Sequence, residues 1–274
     1  MAAEIPLSEL VLIAQSRAED LGFVALHDVA SILEGSDESR IIGGHMVQLH
    51  AYRWNLGADL YRQTQDADLG VPPIAIKDLE LVDRLSALGY EREAGNRFSR
   101  AVTDLPQTAS TGLAPRAVID ILVPAYTSRP RPNRRVSADV TTTEVPGLAT
   151  ALRRPAISIS LDVRRLNGDQ RVFPCLVPDE VAALVLKALA WNARAEQRDA
   201  TDIWRCLEIA NAAGLRIKDF KGSESATATE TVRCAFEQRD SAGMAAIENA
   251  NNLRSEGADR RFTRISALIE RVLR

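Results

Sequence analysis

Asp66 and Asp68 sit one residue apart in the apolar run "QDADLGV", just downstream of a glycine pair, Gly43 and Gly44. On a strand, residues two apart face the same way, so both carboxylates project to one side, roughly 7 Å apart along the chain. Like charges this close and partly out of water repel, and a cation between them relieves the strain. Hard oxygen ligands at such spacing suit Mg²⁺. "AVIDILV" supplies a third carboxylate, because Asp120 lies mid-strand among apolar neighbours, where an unpaired charge is costly.

The glycines bring a second element. A glycine turn leading into a helix exposes backbone N–H groups at the positive end of the helix dipole, an arrangement that holds phosphate. Phosphate on one side and a carboxylate-bound metal on the other is the layout of phosphoryl or nucleotidyl transfer. His45, directly after the glycines, is a candidate hydrogen-bond donor to that phosphate.

These residues need elements to hold them. Residues 7 to 34 read as one helix with Ser8 as its N-cap. Arg40 to Ile42 reads as a short strand, and His45 to Trp54 as the helix leaving the turn. Gln65 to Val71 is a strand stopped by Pro72-Pro73, and Lys77 to Leu88 a helix ending at Gly89. "RFSRAV", "RAVIDILVPA", "AISISLDV" and "QRVFPCLV" read as strands, the last two joined by a turn at "LNGD". The stretch "YTSRPRPNRRVSADVTTTEVPG" is polar and rich in proline and arginine, and reads as a loop with an RNA-contacting role in prospect. From Pro178 the pattern is helical, starting with two helices in "PDEVAALVLKALAWNARAEQRDATDIWRCLEIANAAG". "SESATATET" reads as a linker or a helix start. The expected division is an α/β domain over 1–176 and a helical domain over 177–274.

Composition bounds the rest. The 274 residues carry 46% hydrophobic and 26% charged side chains and a net charge of -3, so bulk attraction to nucleic acid or anionic membrane is not indicated. Three cysteines at wide spacing make neither a zinc pattern nor a disulfide framework, which fits a reducing cytoplasm. No apolar run reaches the length of a membrane span and no signal peptide is visible. Of 34 basic residues only Lys77, Lys187, Lys218 and Lys221 are lysines, so Lys187 inside an apolar helix stands out. Lys187, Trp191, Arg194 and Arg198 follow helical spacing on one face, which would place a base-stacking ring among cations.

Taken together, "GGH…QDADLGV…VIDILV" resembles the nucleotidyltransferase fold of the polymerase-beta superfamily: a glycine turn, an Asp-x-Asp, and a third aspartate on a later strand. The helical segment, with its helix lysine followed by an arginine-rich stretch and "RD..D", is similar to the AbiEii/MenT-like family, nucleotidyltransferase toxins of bacterial type IV toxin–antitoxin systems. The resemblance covers roughly residues 38 to 212. It implies an α+β fold, a mixed sheet with flanking helices followed by a C-terminal helical bundle. It implies that Asp66 and Asp68 bind Mg²⁺, that Asp120 assists as ligand or base, and that Lys187 contacts the NTP. It implies that Asp199 and Asp202 position Lys187 or the nucleotide, with Gly43, Gly44, His45, Arg194 and Arg198 completing the nucleotide site. The expected reaction moves an NMP from an NTP to an acceptor, RNA and especially a tRNA 3′ end, in a toxin-like enzyme with a cognate antitoxin. The alternatives are a nucleotidyltransferase acting on an antibiotic or a protein, and a non-catalytic nucleotide-binding member of the fold.

Each residue also has a plainer role. Asp66 and Asp68 are candidates for strand-end caps, Asp120 for an ion pair with Arg62 or Arg116, Lys187 for a surface lysine on a buried stem, and Trp191 for core.

Overall fold

The computed structural model describes residues 7–34, 36–57, 60–78, 80–105, 114–127, 129–136, 140–250 and 257–274. The loop expected between Tyr126 and Gly147 therefore lies partly outside the described residues. Two sheets and a run of helices share one hydrophobic core, in which buried side chains of strands and helices on both sides of residue 176 are continuous.

The chain opens with a strand, β1 (Glu9–Ile13), and only then a helix, α1 (Arg17–Ile32). This corrects the single helix expected over 7–34. Glu9, Val11 and Ile13 point outward while Leu10 and Leu12 point inward, the period of two that marks a strand. The N-cap is Ser16 rather than Ser8. Its Oγ accepts from Glu19 N at 3.2 Å, and the Glu19 carboxylate accepts from Gln15 N at 2.8 Å. "S-x-x-E" before an apolar run is the capping signature that names the true helix start.

The main sheet runs in the order β2 (Arg40–Ile41), β3 (Asp66–Gly70), β6 (Arg116–Pro124), β5 (Arg97–Ala101), β4 (Glu91–Ala94). β3 and β6 are parallel, and β5 is antiparallel to β6. β5 accompanies β6 only as far as Asp120. From Leu122 its place is taken by β8 (Thr141–Val145), which pairs parallel to β6 and antiparallel to β7 (Arg134–Arg135). The sheet therefore forks at Ile121, whose N–H goes to Asn96 O at 2.9 Å and whose carbonyl takes the Thr142 hydroxyl at 2.5 Å. A β7–β8 hairpin thus stands where a loop was expected, and β4 is a strand that the sequence pattern did not reveal.

One face of this sheet is apolar. Ala67, Leu69, Ile119 and Ile121 are each fully buried, and α1 packs across β3 and β6. The alternation that buries them sends Asp66, Asp68 and Asp120 to the opposite face. A second sheet, β1 parallel to β9 (Ile157–Arg164) and β9 antiparallel to β10 (Gln170–Val177), closes the other side of α1, with the β9–β10 turn at the expected "LNGD".

Between the strands, α2 (Gly43–Arg53) leads out of β2. The expected helix over 77–88 is two short ones, α3 (Pro73–Asp78) and α4 (Leu81–Ala87), separated by Glu80 in the left-handed region at φ 48°. α5 (Leu148–Arg153) follows β8. The C-terminal helices are α6 (Glu180–Arg194), α7 (Gln197–Ala212), α8 (Ser223–Phe236), α9 (Ala242–Ala250) and α10 (Ala258–Leu273). "SESATATET" is the beginning of α8. The architecture is α+β, a mixed sheet with flanking helices followed by a helical bundle. No helix among the described residues is long and apolar enough to cross a membrane.

Candidate active site

Register builds the site. Across the sheet Arg97 pairs with Asp120, and Asp120 with Asp68; the Asp68 carbonyl then accepts from Ile42 N at 2.9 Å, directly before Gly43. Arg97, Asp120 and Asp68 therefore lie in one row across three strands, with Ile42 beside Asp68 and Gly43 directly after it, and Asp66 is one pleat away beside Val118.

Gly43 opens α2 at φ 66°, and a side chain there would fall inside the Asp68 carboxylate. Only glycine permits both the left-handed backbone and this approach. A Cβ on Gly44 would come within 2.8 Å of Thr64 Oγ1 and 3.0 Å of an Arg62 nitrogen. The first turn of α2 is thus bounded by a carboxylate, a hydroxyl and a guanidinium, and its leading N–H groups have no partner inside the helix. His45 does not join them. Its ring is buried against Gly22 of α1, with Nε2 lacking a hydrogen-bond partner, so its side chain offers nothing to a phosphate at the turn. Burial, reinforced by the Arg62 charge, lowers its pKa to about 3, so it is neutral.

The carboxylates repel as their spacing demands. Burial raises Asp68 above its ordinary value and Asp66 adds to that, while Lys187, Arg194 and Arg198 pull the other way. Burial pushes Asp120 up to about 6, Asp68 and Asp66 reinforce the push, and Arg97 opposes it. Arg97 is the residue that the sequence pattern missed. It donates to Asp120 Oδ2 at 3.1 Å and to Asp66 Oδ2 at 3.0 Å, and Asn96 donates to the other Asp120 oxygen at 3.3 Å. Arg62 and Arg116, the expected partners of Asp120, are committed to Asp202 at 3.2 Å and to Glu91, also at 3.2 Å.

The helical half contributes cations and their counterions. Lys187 Nζ is buried, 2.7 Å from Asp202 and 3.9 Å from Asp199. Asp199 receives both ends of the Arg194 fork at 2.6 and 2.9 Å. Asp202 also accepts from Arg62 and, at 3.0 Å, from Arg205. Burial alone would raise Asp202, but Lys187, Arg62 and Arg205 outweigh it and hold the carboxyl at about 2. Gln48 of α2 takes Arg205 at 2.6 Å and the Arg62 N–H at 2.9 Å, tying α2 to α7 behind the glycine turn.

Two expectations need correction. Arg198 does not share a helix with Lys187: α6 ends at Arg194, Ala195 turns left-handed at φ 50°, and Arg198 belongs to α7. Trp191 is core rather than a stacking platform, at 9% exposure. The structure nonetheless gathers Asp68, Asp66, Asp120, Lys187, Arg194 and Arg198 within electrostatic reach of one another, facing the start of α2.

Among the described residues no three Asp, Glu, His or Cys side chains converge closely enough to hold a metal ion as they stand. The reason is local, since the Arg97 guanidinium lies between Asp66 and Asp120. The donor chemistry itself fits a hard divalent cation: three carboxylates on adjacent strands, two of them in register, with a cationic group among them.

No protein-family model and no curated protein matches the chain. Among solved structures it is similar to the crystal structure of an antigenic nucleotidyltransferase-like protein from Paracoccidioides brasiliensis. Identity is 16%, with 98% of this chain and 96% of that one covered, at a TM-score of 0.44.

Proposed function

We propose that this protein is a nucleotidyltransferase with the polymerase-beta type of site, moving an NMP from an NTP to an acceptor hydroxyl and releasing pyrophosphate. The observation that carries the reading is the pairing of Asp120 with Asp68, whose carboxylate lies against Gly43. It sets two carboxylates in register beside a helix start whose glycine admits one of them into its backbone. Carboxylates and a phosphate-binding turn in contact are the two halves such a reaction needs.

In this reading Asp66, Asp68 and Asp120 would hold Mg²⁺, which would supply charge neutralisation at the attacking and departing oxygens. The first turn of α2, through Gly43 and Gly44, receives the triphosphate. Lys187, Arg194 and Arg198 provide the positive field toward which the polyphosphate is drawn, and Asp199 and Asp202 fix Arg194 and Lys187 in place. If Asp66 and Asp68 alone hold the cation, Asp120 is instead the candidate to accept the proton of the acceptor hydroxyl, being within one strand of them.

RNA is the favoured acceptor, a tRNA 3′ end in particular, in a toxin-like role with a cognate antitoxin. A groove of about 1120 Å³ opens at the C-terminal end of β6, just beyond Asp120, and shares α6 with the site. Arg129, Arg153, Arg154 and Lys221 line it with Tyr126, against one carboxylate, Glu224. That excess of positive charge favours a polyanion over a cationic antibiotic.

The test is label transfer. Wild type and the Asp66→Ala/Asp68→Ala variant are incubated with Mg²⁺, total bacterial RNA and each α-labelled NTP in turn. Label on RNA from wild type alone supports the reading. Label on protein moves the acceptor assignment to a protein. NTP binding without any transfer supports a non-catalytic member of the fold.

A further inference from the structure

Arg97 sits where the main sheet forks, at the first residue of β5, opposite Asp120 of β6. Its guanidinium reaches across two strands, with one arm on Asp120 and the other on Asp66, and its Nε lies 3.6 Å from Glu93. Two of the three carboxylates expected to share a divalent cation are thereby already bridged by a single positive group. The third, Asp68, is turned to Gly43 and to the field of Lys187.

The side chain is also free to leave. Arg97 and Asp66 are each 39% exposed, so solvent reaches the fork. A half-solvated arginine fork carries one charge against the two of a divalent ion, and is the weaker partner for a carboxylate cluster. Nothing else among the observed contacts ties the guanidinium down except Glu93, which lies on the outer side of the same hairpin.

We propose that Arg97 is an internal counter-cation of this site: it occupies the space between Asp66 and Asp120 in the free protein and competes directly with the divalent cation. This rests on the reading of the three aspartates as a cation site. The pair thus acts as a gate on metal loading. Displacement also delivers a freed guanidinium to the mouth of the site, where an anionic ligand arriving with the cation would meet it.

The experiment measures Mn²⁺ binding to the whole protein without nucleotide, by electron paramagnetic resonance of the free ion, at pH 8 so that the carboxylates are ionised. Arg97→Gln is expected to bind Mn²⁺ about tenfold tighter than wild type, ~1.4 kcal/mol. Arg97→Lys keeps the charge but cannot span both carboxylates, and is expected to bind a few-fold tighter. It also serves if the glutamine variant folds poorly, which thermal melting reports. Equal or weaker Mn²⁺ binding in both variants, with binding still lost in Asp68→Asn, overturns the role of Arg97 and leaves the cation site standing. Binding that is unaffected by Asp68→Asn and by Asp120→Asn overturns the cation site itself and this inference with it.

Discussion

Gly43 and Asp68 share one volume: the carboxylate of Asp68 occupies the space that a β-carbon on Gly43 would need. Backbone and charge are therefore locked together at the start of α2. Gly43→Ala forces a left-handed alanine, which costs about 1–2 kcal/mol, and expels the Asp68 carboxylate. We expect a modest loss of stability in urea unfolding together with a much larger loss of Mn²⁺ affinity, tenfold or more. Loss of both in proportion to the unfolded fraction alone would argue that Gly43 serves only the turn.

The buried ion network predicts an asymmetry between its members. Asp202 holds Lys187, Arg62 and Arg205, so Asp202→Asn strips the two arginines of this carboxylate, leaves Lys187 only its longer contact to Asp199, and is expected to cost about 3–5 kcal/mol. Lys187→Met leaves Asp202 with two arginines, and is expected to cost less than half as much while lowering NTP affinity. Equilibrium unfolding of the two variants decides it, and a Lys187 variant as damaged as the Asp202 one contradicts the scheme.

Acid should unfold the protein in two windows. His45 has a folded pKa of about 3 against an ordinary 6.5, so the unfolded chain takes up its proton first. Its neutral form supports the fold fully above pH 6.5, and that support falls by about 1.4 kcal/mol per pH unit as pH drops toward 3. His50, also lowered by burial, adds to the same window. Asp202 acts below it: with a folded value of about 2 against 3.8, its contribution is present above pH 3.8 and is lost as pH falls toward 2. Replacing His45 by leucine should remove about one proton of uptake between pH 6 and 4, measured from stability against pH. An unchanged slope would place the proton uptake elsewhere.

The basic groove makes a salt-dependent prediction. Arg131 and Arg134 are held by Glu144 at 2.8 and 3.1 Å, so removing residues 129 to 135 would strip a buried carboxylate of its partners. Point changes are cleaner. Arg129→Ala/Arg153→Ala/Lys221→Ala is expected to lower RNA affinity and to reduce the slope of log affinity against log salt by up to ~2–3, about 0.7–0.9 per lost phosphate contact. RNA binding with an unchanged slope would exclude the groove as the acceptor surface.

What the sequence disclosed and what it hid follow one rule. Asp66, Asp68 and Asp120 were legible because strand alternation is local: a charge at the wrong phase of an apolar run announces itself within seven residues. Arg97 was hidden because its meaning depends on register. Nothing in "RFSRAV" says that its first residue will lie opposite Asp120, and only the antiparallel pairing of β5 with β6 does so. His45 deceived for the opposite reason, since it follows the glycines directly in sequence while its ring packs against Gly22 of α1. The face shared by Lys187 and Arg198 failed at Ala195, a non-glycine residue in the left-handed region that carries no helix-stop signal. The Ser16 cap lies behind β1, whose apolar residues read as the first turns of a helix.

The parallel pairing of β3 with β6 also sets an order of events during synthesis. Parallel neighbours cannot be joined by a tight turn, so Asp68 emerges from the ribosome long before the strand that places Asp120 beside it. Closing that loop comes before any contact rewards it. Lys187 and Asp202 arrive later still, with α6 and α7. A nascent chain that stops short of α6 holds Asp66, Asp68 and Asp120 without Lys187, Arg194 and Arg198 set against them. The complete cluster is thus acquired only once α7 has been made, and its assembly can serve as a timestamp for co-translational folding.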